Sequence, residues 1–156
     1  MYTVTMETEM ETETGTNEQL YYTKQNVSLK EFKIHDYVYN LGIVNMPKIV
    51  DYNKKTKEMK MERVGVMNVS DFYGAEAKNI SEELFGRIRS IIQTLYDHNI
   101  LYIDITGYNF IETDDKIWII DFEHAKHNNA NAKRKIKNKF VERFLAGANE
   151  WNPEFA

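Results

Sequence analysis

A long amphipathic pattern in the middle of the chain, followed by short apolar runs, limits the fold more than any other feature. Residues 81–98 are predicted to form one helix, because apolar side chains recur there at three- and four-residue spacing. These apolar positions are Leu84, Phe85, Ile88, Ile91, Ile92 and Leu95. A short strand over 100–102 and a hairpin of 109–112 with 117–120 follow. A helix packed on short antiparallel strands indicates an α+β fold.

The amino-terminal half supplies a second group of strands. Residues 20–24 read as a short strand, since two tyrosines and a threonine favour extended backbone. Residues 46–52 and 58–64 form a predicted hairpin across a polar turn. Alternation along the second of these strands places Met59 and Met61 on one face.

Two further helices are expected. The first begins at Ser28, because Ser28 and Glu31 match the capping box, and Gly42 is a suitable stop. Its expected apolar stripe consists of Leu29, Phe32, Tyr37 and Leu41, with Ile34 and Val38 beside it. The second is predicted over residues 131–145, with Ile136, Phe140, Val141, Phe144 and Leu145 facing inward.

The length of 156 residues suits a single domain with an amino-terminal tail. Residues 1–19 hold five glutamates and no lysine or arginine, so they account for the net charge of −4 and are expected to be solvated and disordered. Residues 20–156 are then a single, nearly neutral domain. The absence of cysteine excludes disulfides and thiolate metal sites. No apolar run reaches about 20 residues, so no membrane partner is expected and the predicted location is intracellular and cytoplasmic.

Three polar residues after the central helix have side chains of the types that can bind magnesium and orient a hydroxyl group. Asp104 is followed after four residues by Asn109, and Asp121 stands at the end of an apolar strand. Phosphoryl transfer needs oxygen ligands for magnesium and a carboxylate that orients the attacking hydroxyl. Taken singly, Asp104 and Asn109 could shape a turn and Asp121 could end a strand. Their joint occurrence favours the chemical interpretation.

The stretch from Leu20 to Lys126 resembles protein-kinase-like folds, in which Asp-x-x-x-x-Asn is followed by a metal-binding Asp-Phe. The resemblance implies ATP and Mg²⁺ as cofactors. It implies that Asp104 is the catalytic residue and that Asn109 and Asp121 are the metal ligands. The metal ions would bridge the phosphates while Asp104 orients the acceptor hydroxyl.

The same resemblance assigns the nucleotide side of the site. Lys24 and Glu31 would form the ion pair that holds the ATP phosphates. A helix cap for Glu31 and an ordinary surface position for Lys24 are the alternatives. Met61 would guard the back of the adenine pocket, and the backbone of Glu62 and Val64 would bond the adenine edge.

Among kinases, the chain is similar to small atypical kinases, including short kinase-like proteins of large DNA viruses. Asp-Phe-Glu at 121–123 is also similar to the motif of choline kinases and aminoglycoside phosphotransferases. The sequence lacks a glycine-rich phosphate loop, and Tyr102-Ile103 stands where His-Arg is usual. Few residues follow Asp121. The resemblance therefore implies a reduced N-terminal lobe and a truncated, mainly helical C-terminal lobe, and a viral protein would act in a viral factory or virion.

The predicted function is ATP-dependent phosphotransfer to a hydroxyl, with a protein Ser or Thr as the first acceptor to consider and a small molecule as another. The alternative is a pseudokinase, a nucleotide-binding or structural module in a larger assembly, whose protein partner would complete the truncated lobe. A third interpretation is a small α+β binding protein in which the motif arose by chance.

Weaker signals leave further alternatives open. The basic run from Lys133 to Lys139 could contact nucleic acid, although a solvated helix face explains it more simply. His124 follows the Asp-Phe-Glu motif and could line the pocket or lie on the surface. The aromatic segment 151–155 is expected to dock on the domain or to serve as a partner-binding peptide.

Overall fold

A computed structural model describes residues 20–128 and 136–156 of the chain. The predicted tail at 1–19, the start of the predicted last helix at 131–135, and Lys133, Arg134 and Lys135 of the basic run lie outside the described residues. Within the described ranges, seven strands and four α-helices form a mixed α and β arrangement. No helix there is long and apolar enough to cross a membrane.

An antiparallel sheet of three strands, in the order β1-β3-β2, forms the amino-terminal part of the structure. The strands are β1 (Tyr21–Lys24), β2 (Ile49–Asn53) and β3 (Glu58–Glu62). The prediction that Met59 and Met61 share one face is confirmed, because both are buried while their neighbours along β3 are exposed. They pack with Val27 into a small apolar cluster beneath the sheet.

Helix α1 covers Leu29–Leu41, between β1 and β2. The Ser28 hydroxyl accepts a hydrogen bond from the Glu31 N–H at 3.1 Å, which is the serine half of the predicted capping box. The Glu31 carboxylate instead accepts a hydrogen bond from Lys24. Gly42 ends the helix in the left-handed conformation, with a φ of 66°.

The buried face of α1 differs from the predicted apolar stripe. Leu29, Tyr37 and Leu41 remain exposed to solvent. The buried residues are Glu31, Ile34, His35 and Val38. This face includes a carboxylate and an imidazole, which are buried through polar partners rather than through hydrophobicity, so apolar periodicity alone does not identify it.

The predicted central helix is confirmed as α3, which covers Glu82–Asp97 and is capped by Ser81. A shorter helix, α2, covers Val69–Tyr73 and begins at the cap residue Asn68. Five residues are too few for a helical period to show in the sequence, and α2 was therefore not predicted.

Four short strands follow α3 and pair in twos. They are β4 (Ile100–Leu101), β5 (Phe110–Glu112), β6 (Ile117–Ile119) and β7 (Lys126–His127). β5 pairs with β6, which confirms the second predicted hairpin, and β4 pairs with β7. These strands and the apolar face of α3 enclose the main hydrophobic core.

Helix α4 covers Lys139–Leu145 and is shorter than predicted. The Asn138 side chain accepts a hydrogen bond from the Val141 N–H at 3.1 Å, so the helix begins after Asn138. The predicted helical conformation of Ile136 is wrong, and its side chain is 43% exposed rather than inward-facing.

Candidate active site

Three charged residues from separate elements meet at one end of the sheet. Lys24, at the end of β1, places its Nζ 2.6 Å from Glu31 Oε2 and 3.1 Å from Asp121 Oδ1. Glu31 belongs to the first turn of α1, and Asp121 follows β6. The structure therefore brings together the residues predicted to hold phosphate and one predicted to hold metal, although 97 positions separate Lys24 from Asp121.

Burial and charge act in opposite directions on this cluster. Burial by itself would lower the pKa of Lys24, but the hydrogen bond to Glu31 and the negative charges of Asp121 and Glu31 outweigh it and raise that pKa. Burial is the largest influence on the pKa of Glu31 and raises it, the negative charges of Asp121 and Glu123 raise it further, and Lys24 opposes these effects without cancelling them. Lys24 is therefore a firmly protonated ammonium, the form that binds phosphate.

Asp104 and Asn109 lie in the loop of residues 102–109 between β4 and β5, here called the Asp104 loop. The Asn109 side-chain amide donates to the Asp104 carbonyl at 2.9 Å, and the Ile120 N–H donates to the Asn109 carbonyl at 3.0 Å. Tyr102 is fully buried and donates its hydroxyl to the Ile120 carbonyl at 2.6 Å. The loop is thereby tied to the segment that leads into Asp121.

The Asp104 carboxyl is more basic than an ordinary aspartate. Burial raises its pKa, and the negative charge of Asp121 adds to the effect. Hydrogen bonds with His124 and Asn109 oppose this increase without cancelling it. A carboxylate with a raised pKa is better suited to accept a proton from a hydroxyl group.

Asp121 adopts a left-handed backbone conformation with a φ of 65°. Such a conformation costs a non-glycine residue about 1–2 kcal/mol, and aspartate is among the types that tolerate it. The carboxylate oxygen that meets Lys24 also accepts a hydrogen bond from the Glu123 N–H at 3.2 Å. The turn thus directs the Asp121 side chain toward Lys24.

Edge-to-face aromatic contacts connect α1 with the Asp104 loop. The buried Phe122 ring lies between His35, at a centroid distance of 5.5 Å, and Tyr102, at 5.3 Å. His35 Nε2 donates to the Pro47 carbonyl at 2.8 Å, and burial lowers the pKa of His35, which favours the neutral ring. Because one ring contacts both sides, the position of α1 is coupled to that of the loop.

The carboxy-terminal segment also binds the Asp104 loop. The Asn152 side chain donates to the Ile103 carbonyl at 2.8 Å, and its backbone N–H donates to the Ile105 carbonyl at 2.9 Å. Asn152 therefore binds both carbonyls that flank Asp104. The docking expected for this segment is observed, but nothing in the sequence singled out Asn152, because its partners are backbone atoms far away in the chain.

The residues predicted to bind adenine lie at the end of β3 and just beyond it. Met61 is buried, and Val64 is half-buried. The Glu62 N–H already donates to the Lys48 carbonyl at 2.9 Å, so the carbonyl of Glu62 is its remaining backbone group. Gly65, which follows this segment, has a φ of 63°, and an added Cβ would lie 2.6 Å from the Ile111 side chain of β5. This position therefore requires glycine.

Comparison with known proteins identifies the family. The family model of the RIO domain matches residues 3–143. The chain belongs to the RIO domain family. The matched range includes most of the segment predicted to be a tail. No curated protein sequence matches the chain.

A solved structure supports the kinase-like fold of this RIO domain. The Cydia pomonella granulovirus kinase PK-1 matches with a TM-score of 0.52 and 16% sequence identity. The match covers 69% of this chain and 44% of that kinase, so the chain spans less than half of that protein's length. At this identity the similarity establishes the fold alone. The predicted relationship to choline kinases and aminoglycoside phosphotransferases stays a prediction.

The site of this RIO domain has a donor set that suits magnesium delivered with a nucleotide. Asp121 offers a carboxylate, and Asn109 offers an amide oxygen because its NH₂ group is engaged by the Asp104 carbonyl. Within residues 20–128 and 136–156, no three acidic or histidine side chains are grouped as a metal site. The protein would supply two ligands and the phosphates and water would supply the rest, an arrangement that magnesium commonly adopts.

Proposed function

We propose that this RIO domain transfers the γ-phosphoryl group of Mg-ATP to a hydroxyl group. The convergence of Lys24, Glu31 and Asp121 beside the loop that carries Asp104 and Asn109 is the observation that supports this most strongly. The raised pKa of Asp104, the protonated Lys24 bound to Asp121, and the carboxylate and amide oxygens of the kind that magnesium prefers form a combination typical of catalytic sites. RIO kinase-like domains generally bind ATP and Mg²⁺, which agrees with the proposal.

The residues have separate tasks in the proposed reaction. Lys24, oriented by Glu31, binds phosphate oxygens. Asp121 and Asn109 would hold magnesium, which would neutralise phosphate charge when bound. Asp104 accepts the proton as the O–H bond of the acceptor breaks. The acceptor oxygen then bonds the γ-phosphorus, and the P–O bond to ADP breaks with its electron pair on ADP.

The acceptor and the lobes are finer parts of the proposal. The sheet β1-β3-β2 with α1 would be the reduced N-terminal lobe, and the part from α3 onward would be the truncated C-terminal lobe. Met61, the Glu62 carbonyl and Val64 would line the adenine side. A protein Ser or Thr is the first acceptor to test, with a small molecule next, and a protein partner would complete the short C-terminal part.

Formation of ADP from Mg-ATP tests the proposal. Wild-type protein is compared with Asp104→Asn and Asp121→Asn, and a mixture of unphosphorylated proteins serves as the phosphoryl acceptor. We expect ADP release by the wild type and a loss of about a hundredfold in Asp104→Asn, since general-base groups contribute about 10²–10⁴ in rate.

The same assay separates the enzyme from a pseudokinase. Binding of Mg-ATP to the wild type, with ADP release no faster than in Asp104→Asn, would show that the domain binds the nucleotide without phosphotransfer. The absence of a glycine-rich motif in the sequence is the observation that keeps this alternative worth testing.

A further inference from the structure

His124 lies in the turn between Asp121 and β7, close to the Asp104 loop. Its Nδ1 is 3.4 Å from Asp104 Oδ2. An ionised carboxylate can only accept hydrogen bonds, so Nδ1 must be the donor in this contact. The turn therefore brings an N–H group to one oxygen of the Asp104 carboxylate.

Phe155 of the carboxy-terminal segment packs against the His124 ring. The two ring centroids are 4.9 Å apart, with a 41° angle between the ring planes. The Phe155 N–H donates to the Asn152 carbonyl at 3.0 Å, and Asn152 also binds the backbone on both sides of Asp104. One segment thus contacts both the Asp104 loop and the histidine that reaches the Asp104 side chain.

We propose that His124 is a positioning residue for Asp104, whose Nδ1–H holds Oδ2 so that Oδ1 faces the acceptor hydroxyl. This inference rests on the proposed function and deepens it. A carboxylate has a broad terminal torsion, and one that is not held spends much of its time in unproductive orientations. Holding a catalytic group in the reactive geometry is a direct source of rate.

His124 keeps its proton throughout the proposed step. The acceptor proton passes to Asp104 Oδ1, while Oδ2 remains hydrogen-bonded to Nδ1–H of His124. The histidine therefore acts through Asp104 and does not itself touch the phosphate or the acceptor. Its removal should lower kcat and leave the KM for ATP unchanged, because the nucleotide is bound by other residues.

Three substitutions separate the hydrogen bond from the bulk of the ring. His124→Asn keeps a side-chain N–H at the δ position, His124→Gln moves it one bond further out, and His124→Leu removes it. We expect kcat for ADP release from Mg-ATP to fall about tenfold in the Leu and Gln variants, the typical loss for one charge-assisted hydrogen bond. The Asn variant should retain most of the wild-type kcat. His98→Leu, at the exposed end of α3, is the matched control and should leave kcat unchanged.

Equal kcat in wild type and His124→Leu would overturn the positioning role alone, since the proposed reaction would still occur. Equal losses in the Asn and Leu variants would also overturn it, because the δ N–H would not be the cause. If wild type releases no more ADP than Asp104→Asn, the proposed function fails and the positioning role fails with it.

Nitrogen-15 NMR of the His124 ring supplies a readout that does not depend on turnover. The contact requires a hydrogen on Nδ1 of the wild type, and Asp104→Leu should remove the preference for that tautomer. A wild-type ring that carries its hydrogen only on Nε2 would overturn the inference even in an active enzyme.

Discussion

Replacing Asn152 should lower the free energy of unfolding, and the size of the loss should depend on what the new side chain presents to the Ile103 carbonyl. Asn152 is 3% exposed and donates to the Ile103 carbonyl at 2.8 Å, while its own side-chain oxygen accepts from the Glu154 N–H at 3.1 Å. Asn152→Ala removes both side-chain bonds. Asn152→Asp keeps the acceptor but replaces the donor with a second oxygen that faces a carbonyl.

The magnitudes follow from the cost of leaving such groups without partners. One net hydrogen bond is worth about 1 kcal/mol, and an unpaired buried group adds about 1–3 kcal/mol, so Asn152→Ala should cost about 2 kcal/mol. Asn152→Asp should cost about 3–4 kcal/mol at pH 7, because a buried carboxylate then faces the carbonyl. Protonation restores a donor, so the pKa of the introduced carboxyl is raised in the folded state. The excess cost over Asn152→Ala is therefore present near pH 7 and is lost as the pH falls.

Urea unfolding of both variants at pH 7 and pH 5 measures this difference. Asn40→Asp, which adds the same charge at an exposed position in the last turn of α1, is the control and should cost no more than about 1 kcal/mol, the usual size of a charge effect at a helix end. The reasoning is refuted if Asn152→Asp is as stable as Asn152→Ala at pH 7, or if the gap between them does not narrow at pH 5.

Three further predictions concern the site and its supports. Lys24→Met should abolish stabilisation by Mg-ATP in a thermal shift assay, whereas Lys60→Met on the exposed face of β3 should keep it. Burial lowers the pKa of His35, so at this residue the unfolded chain binds a proton more readily than the folded one. Wild-type stability should therefore fall as the pH drops below about 6.5. Urea unfolding across pH 5–7 should show that the free energy of unfolding depends less on pH in His35→Gln than in the wild type. Gly107→Ala should cost about 2–4 kcal/mol of stability, since the added Cβ meets the Ser70 and Trp151 side chains. Gly86→Ala has open space around it in α3 and should stabilise the protein by up to about 1 kcal/mol in the same urea titration.

Local sequence patterns predicted the helices and strands whose apolar residues recur at one regular spacing. The central helix, the strand that carries Met59 and Met61, and the hairpin β5-β6 follow directly from apolar spacing and turn residues. The buried face of α1 does not, because Glu31 and His35 are placed by partners on other elements. A periodicity argument has no access to those partners.

The candidate site shows the same division. The spacing of Asp104, Asn109 and Asp121 is visible in the sequence. The residues that hold these three in place show no such pattern. Tyr102 and Asn152 act through backbone carbonyls, and the roles of such donors depend on the fold rather than on neighbouring residues. His124 was recognisable as a residue near the motif, but its contact with Asp104 required the turn geometry.

Thermal unfolding with and without Mg-ATP tests the central claim that this RIO domain has a working nucleotide site. A ligand that binds only the folded state at about 100 times its Kd adds about 2.7 kcal/mol of stability. The account predicts a magnesium-dependent rise in Tm for the wild type that is strongly reduced in Asp121→Asn. An unchanged Tm at millimolar Mg-ATP, or an equal rise in Asp121→Asn, would contradict it.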